Sequence, residues 1–155
     1  APMVLCLKAW KSRSLPGLSF IMFKEIKHNK KTVSIIIRNS FSSNHTNFFT
    51  NKSSEFQLGI IVKNKDDIVP KHFHNKRLSK IKSTSEVLII RSGEVIISIY
   101  NPKCTKLISK TILKKGDIIF LNNCGHKLKF LKKTKMIEIK QGPYLGLKDK
   151  QVKQN

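Results

Sequence analysis

Short runs of β-branched and aromatic residues, separated by polar turns, are the feature that most restricts the fold of this chain. The runs succeed one another along the sequence, many of them at roughly ten-residue spacing. They are 32–38, 56–62, 87–90, 95–100, 107–113, 118–121, 127–131 and 135–139. β-Branched side chains pack well on a pleated sheet, and no helical period of useful length competes with this pattern. The sequence therefore predicts an all-β domain built as a barrel or a sandwich.

Polar and glycine-containing segments separate these runs. Residues 92–94, Ser-Gly-Glu, are typical of a tight hairpin between the runs 87–90 and 95–100. Residues 114–117, Lys-Lys-Gly-Asp, predict a turn. The stretch 39–54 is rich in Ser, Asn and Thr and predicts a loop around two phenylalanines.

The 155 residues are most simply one domain. We expect the fold to span residues 22–141. Residues 1–21 are expected to form an extension outside it. They lack the order of charged and apolar regions found in secretory signals and match an organelle transit peptide only weakly, and Met22 is an alternative start of the protein. Residues 142–155 are expected to form a tail that packs Tyr144 locally and then frays. No apolar run is long enough to cross a membrane, so no membrane partner is expected.

The chain is strongly basic, with 31 Lys and Arg against 9 Asp and Glu and a formal net charge of +22. Such a field attracts phosphates, nucleic acid or an acidic surface. The lysines are scattered, however, and no aromatic RNA-binding signature or zinc-knuckle spacing accompanies them, so no specific nucleic-acid binding is expected. The three cysteines form no Cys-x-x-Cys pair, and their odd number favours a reducing compartment, here the cytoplasm.

Imidazole and carboxylate side chains recur in the second half of the chain. His72 and His74 flank Phe73, so on a strand both imidazoles would face the same side. Glu86 begins the next strong run, and His126 follows a later turn. Three imidazoles and one carboxylate suit a divalent transition metal and leave positions open for a substrate. The sequence predicts a metal centre held by these four side chains.

The order of these residues resembles the two motifs of the cupin family. The first motif has His-x-His, then a Glu followed after six residues by a Gly, and Glu86 and Gly93 keep that spacing. The second motif opens with Gly, usually followed by Asp, and ends near a His, as residues 116–117 and His126 do. The run 137–144 also resembles the ending of a small group of uncharacterised bacterial cupins.

The resemblance covers about residues 56–141 and implies a double-stranded β-helix barrel of the jelly-roll type. It also implies bound Fe, Mn, Ni or Zn and a homodimer. The chain departs from the family pattern in two places. The segment between His74 and Glu86 is longer than usual, and the second motif lacks the usual Pro and has its His one residue early.

Three functions are consistent with this interpretation. The first is a small metalloenzyme of oxygenase or isomerase type. The second is a metal-free isomerase or epimerase of nucleotide-linked sugars that uses barrel histidines as acid and base. The third is a non-enzymatic protein that binds a small molecule. Lys76 and Arg77 follow the His-x-His motif and are candidates to bind an anionic substrate, with a solvated loop as the alternative.

Other side chains near the predicted site are given structural roles. Glu138 and Lys140 alternate onto one strand face, which either points into the barrel or forms a surface pair, and we favour the surface pair. Cys124 is expected to fill a turn or the barrel wall. His28 and His45 lie outside the motifs and are expected to be solvated.

Overall fold

Two antiparallel β-sheets face each other in the computed structural model, which describes residues 22–78, 81–143, 146 and 151–152. The predicted extension at 1–21 and Tyr144 of the predicted tail lie outside the described residues. Within them, ten strands occur: β1 Phe23–His28, β2 Lys31–Ile37, β3 Asn47–Phe48, β4 Gly59–Ile60, β5 Ser85–Ser92, β6 Glu94–Tyr100, β7 Leu107–Lys114, β8 Ile118–Asn122, β9 Gly125–Phe130 and β10 Lys135–Lys140.

The larger sheet has the strand order β1-β2-β8-β5-β10 and the smaller one β7-β6-β9, while β3 and β4 form a separate hairpin. From β5 onward the chain repeatedly changes sheet, because β5, β8 and β10 belong to the larger sheet and β6, β7 and β9 to the smaller. The predicted all-β class is confirmed. Neither sheet closes into a barrel within the part of the chain that the structure describes.

Most predicted runs coincide with strands, and the exceptions lie near the N-terminus. The run 56–62 contains only the two-residue strand β4. Strand β1 was not among the predicted runs, because Ile26 is its one fully buried side chain. It pairs with β2 through a turn in which Asn29 and Lys30 have φ of 49° and 63°. Two successive positive φ values are typical of a type I′ turn, whose twist matches that of the two strands in a hairpin with a two-residue loop.

The hairpin predicted at residues 92–94 is wrong. Ser92 ends β5 in the larger sheet, and Glu94 begins β6 in the smaller one. Gly93 has φ 86°, and a Cβ placed on it would lie 2.4 Å from the carbonyl oxygen of Lys133. Glycine is therefore needed here for a crossover between sheets. The sequence signal for a sharp bend was correct, but a bend does not specify which strand the chain pairs with next.

The space between the two sheets is filled by branched aliphatic side chains. Both sheets contribute alternate residues of their strands, as expected when one face of each strand is buried. The buried members of this core are Ile26, Val33, Ile36, Leu88, Ile90, Val95, Ile97, Ile99, Leu113, Ile119 and Leu121. Because β5 and β8 carry apolar residues on their other face as well, a further layer must shield that face of the larger sheet from water.

This layer, which we call the outer layer, comprises residues 41–60 including the β3–β4 hairpin. Its apolar side chains pack on the outer face of the larger sheet around the buried Phe120 and Ile35. Phe56 stacks on Phe120 with ring centroids 5.9 Å apart. The loop predicted at 39–54 is thus part of a third layer that buries the larger sheet on both faces.

A buried carboxylate ties the end of β2 to the turn between β7 and β8. Asp117, whose exposed fraction is 5%, accepts hydrogen bonds from Nη1 of Arg38 at 2.7 Å and from the backbone N–H groups of Asn39 and Lys114, both at 3.0 Å. Arg38 also donates to Oγ1 of Thr111 on β7. The Gly-Asp pair that begins the second motif therefore has a structural role in joining the two sheets.

Candidate functional site

A carboxylate and an imidazole from opposite sheets meet on the inner side of the sandwich. Glu86 is the second residue of β5 and lies on the same strand face as Leu88 and Ile90 of the core. His126 is the second residue of β9 and pairs in register with the buried Ile99. Oε1 of Glu86 lies 2.8 Å from Nε2 of His126. The pair thus bridges the two sheets where the apolar core ends.

The pair lies in a cavity of about 260 Å³ that also contains groups from β10 and from the segments beside the strands. The lining residues are Thr84, Glu86, Leu121, Asn123, Cys124, His126, Glu138 and Lys140. Lys140 lies opposite Glu86 in the β5–β10 register. Glu138 and Lys140 therefore border the site, and Glu138 is at the same time exposed, as the surface position favoured from the sequence requires. Their alternation along one run was the available signal, but the sequence did not say which face of β10 is turned inward.

Hydrogen bonding controls the charge of the pair. The hydrogen bond from His126 lowers the pKa of Glu86 more than burial raises it, and Glu138 and Lys140 lower it further. The same bond to Glu86 raises the pKa of His126 against the opposing effect of burial. Both shifts favour an imidazolium that donates to a carboxylate. Both groups of the pair are thus biased toward their charged forms.

Cys124 occupies the cavity wall as a neutral thiol. Burial raises the pKa of Cys124 to about 12, although a backbone hydrogen bond at Asn122 opposes the shift. Its side chain packs against the core between the sheets. Since the thiolate is the nucleophilic form, this cysteine is unsuited to nucleophilic catalysis near neutral pH. The predicted role as a small wall residue is confirmed.

His72 and His74 lie apart from the pair. Both are exposed on the segment 61–78, which belongs to no strand in the part of the chain described. Their rings are 5.3 Å apart, and Nδ1 of His72 lies 2.8 Å from the carbonyl oxygen of Pro70. The inference that they share one face depended on a strand, which the structure does not form here. Among the described residues no group of three or more His, Cys, Asp or Glu side chains is arranged to hold a metal ion.

Of the four predicted ligands, the structure thus brings Glu86 and His126 together and leaves His72 and His74 outside. Carboxylate and imidazole are donor types that a divalent transition metal accepts, but a metal would have to displace the hydrogen bond between Glu86 and His126, and the other two histidines do not fit in their present positions. The predicted anion-binding residues Lys76 and Arg77 are exposed on the same segment and do not line the cavity.

The side of the sandwich next to this pair has two open strand edges. Among the described strands, β9 pairs with β6 alone and β10 with β5 alone. Because Glu86 of β5 contacts His126 of β9, both open edges lie on the same side of the molecule. The segment 61–78 precedes β5 in the sequence. It exposes large apolar side chains, including Ile68 and Phe73, whose exposed fractions are 84% and 86%. Unpaired strand edges and exposed apolar residues favour further pairing.

Comparison with known proteins gives no family for this chain: no protein-family model, no curated protein and no solved structure matches it. In the described residues no helix combines the length and apolar character needed to span a bilayer. Because no relative is matched, what the site can do follows from its geometry alone.

The charged pair is expected to make the stability of the fold depend on pH. His126 has a raised pKa, so its contribution is complete below its ordinary value of 6.5 and is lost as pH rises through the folded value. Glu86 has a lowered pKa, so its contribution is complete above 4.5 and is lost as pH falls through the folded value. Between these limits the pair should stabilise the fold by about 1 kcal/mol, since His126 is partly solvated.

Urea unfolding of the parent and of His126→Asn at about pH 5.5 and about pH 8.5 measures this contribution. The parent should lose more stability than the variant on going to the higher pH. His45→Asn, which removes an exposed imidazole, should follow the parent. An identical pH dependence in the parent and in His126→Asn would contradict the assignment.

Proposed function

We propose that this chain is a small metal-binding protein of the cupin superfamily, a metalloenzyme of oxygenase or isomerase type whose site is the cavity around Glu86 and His126. The observation that carries the proposal is the convergence of a carboxylate and an imidazole, 2.8 Å apart, from opposite sheets. These are donor types that Fe, Mn, Ni and Zn accept in proteins. A bound metal would supply Lewis-acid chemistry or a binding position for O₂ beside the substrate.

The topology supports a jelly-roll barrel of the cupin type. Between β5 and β10 the chain changes sheet four times, with β6 and β7 forming a hairpin within the smaller sheet, and such repeated crossing is typical of double-sheet jelly rolls. The residues that resemble the cupin motifs lie on the strands and the crossover around the cavity: Glu86 on β5, Gly93 between the two sheets and His126 on β9. Residues 116–117 form the turn before β8.

We propose that His72 and His74 complete the site when their segment pairs with the open edge of β9. Such pairing would satisfy backbone groups of β9 and shield apolar side chains such as Phe73 from water, at about 25 cal/mol per Å² of apolar surface. Around the metal, the chain's own groups would position a substrate. Glu138 and Lys140 line the same cavity and would contact polar groups of the ligand.

Elemental analysis of untagged protein purified without chelator tests this proposal. We expect close to one Fe, Mn, Ni or Zn per chain in the parent, and loss of the metal in His126→Asn and in the double variant His72→Ala/His74→Ala. The matched control is His28→Ala/His45→Ala, which also removes two imidazoles but should keep the metal. Circular dichroism checks that each variant retains its strands.

Two results would overturn the metal site. One is a folded parent that contains no metal and fails to take up added Fe, Mn, Ni or Zn. The other is a metal content that is unchanged in His126→Asn. Retention of metal in His72→Ala/His74→Ala, together with its loss in His126→Asn, would contradict only the proposed pairing of the segment 61–78 with β9.

A metal-free acid–base site is the second candidate, and the direct hydrogen bond between Glu86 and His126 favours it. An imidazole oriented by a carboxylate is a common general acid or base. On this alternative His126 exchanges a proton with the ligand at one ring nitrogen while Glu86 holds the other. The nucleotide-linked sugar isomerases and epimerases considered from the sequence fit this chemistry, and a metal-free but folded parent would favour them.

A further inference from the structure

A second, more basic cleft lies at the end of the sandwich where three turns converge. We call it the turn cleft; its volume is about 380 Å³. The turns after β1, β6 and β8 form it, and its lining includes the cationic Lys31 and Lys103 and the imidazole of His28. Four asparagines also line it, two of which are Asn122 and Asn123.

The lining of the turn cleft is suited to an anion. No carboxylate is among its lining residues, and within the described part of the chain neither Lys31 nor Lys103 forms an ion pair. The ammonium groups are thus available to a ligand. Each lysine is a compact charge with three donors, which suits the oxygens of a phosphate group.

The asparagines add neutral donors, and one of them borders both the turn cleft and the Glu86–His126 cavity. Oδ1 of Asn122 accepts a hydrogen bond from Oγ of Ser85 at 3.1 Å, which leaves its amide N–H groups for a ligand. Asn123, the next residue, lines both the turn cleft and the cavity. The two spaces thus adjoin at Asn123, and a ligand that extends across this residue would reach from one to the other.

We propose that the turn cleft binds the phosphate or diphosphate group of a small-molecule ligand whose other end enters the Glu86–His126 cavity. The proposal deepens the proposed function by naming the class of substrate and rests on it for the second half of that statement. Binding of the phosphate group itself requires no metal. It also relocates the predicted anion contact from Lys76 and Arg77 to Lys31 and Lys103.

Titration of ¹⁵N-labelled protein with pyrophosphate at about 150 mM salt, followed by NMR, tests the turn cleft, because this salt screens long-range attraction to a basic chain. We expect saturable shifts in the backbone amides of residues 28–32, 101, 103 and 122–123. Lys31→Gln/Lys103→Gln should weaken the affinity by about tenfold or more. The matched control Lys76→Gln/Arg77→Gln loses the same charge and should bind as the parent does.

His126→Asn separates this proposal from the metal site. Pyrophosphate binding that persists in this variant supports the turn cleft whatever the elemental analysis shows. Equal weakening by the two double variants would mean that net charge alone attracts the ligand, and would overturn the proposal. So would shifts that do not saturate, shifts outside the three turns, or equal affinity for succinate.

Discussion

Replacing Asp117 with alanine is expected to lower the free energy of unfolding by about 3 kcal/mol, the loss expected when one partner of a largely buried ion pair is removed. The variant leaves the Arg38 guanidinium without the carboxylate 2.7 Å from its Nη1. It also removes the acceptor of the backbone N–H groups of Asn39 and Lys114. A domain of this size has a total stability of only about 5–15 kcal/mol, so the loss should be easily measured by urea unfolding.

Asp67→Ala is the matched control for this prediction. Asp67 is an exposed carboxylate that accepts one hydrogen bond, from the backbone N–H of Asn64 at 2.8 Å. Its removal should change the free energy of unfolding by no more than about 1 kcal/mol. Comparable losses in the two variants would show that Asp117 does not join the end of β2 to the β7–β8 turn in the way described.

The positions of most strands could be predicted from the sequence, but their partners could not. The runs 87–90 and 95–100 are strands, as their β-branched residues indicated, yet they belong to different sheets. Local propensity and turn chemistry act over a few residues, whereas sheet membership depends on which faces become buried together. Gly93 marks a sharp bend equally well in a hairpin and in a crossover.

The same limit applies to the candidate site. Glu86 and His126 could be predicted because each lies on a strong strand whose inward face is fixed by the apolar residues alternating with it. His72 and His74 lie between lysines, prolines and exposed apolar residues, where no alternation fixes a strand or a register. Glu138 and Lys140 line the cavity because β10 pairs with β5, and the sequence alone did not indicate this pairing.

The outer layer was the least predictable part of the fold, because its Ser- and Asn-rich composition is typical of a solvated loop. Its phenylalanines nevertheless cluster, with Phe23 and Phe49 stacked at a centroid distance of 5.1 Å and Phe41 packed beside them. Polar residues between them supply local hydrogen bonds, such as those that Gln57 donates to backbone carbonyls. A few apolar anchors are thus sufficient to hold an otherwise polar segment on the sheet.

Truncation of the central anchor, Phe120→Ala, is expected to lower the free energy of unfolding by about 3–5 kcal/mol, the usual loss when a buried aromatic side chain leaves a cavity. Phe120 is 2% exposed and stacks on Phe56, so the change removes contacts within the sheet and with the outer layer. Hydrogen exchange should increase first in residues 41–60, because that layer loses its main contact while the core between the sheets remains. Phe73→Ala, at a side chain that is 86% exposed, is the control in metal-free protein, where the segment 61–78 is not docked, and should leave both stability and exchange unchanged. Exchange in residues 41–60 that is already as fast in the parent as in Phe120→Ala would show that these residues do not form a packed third layer.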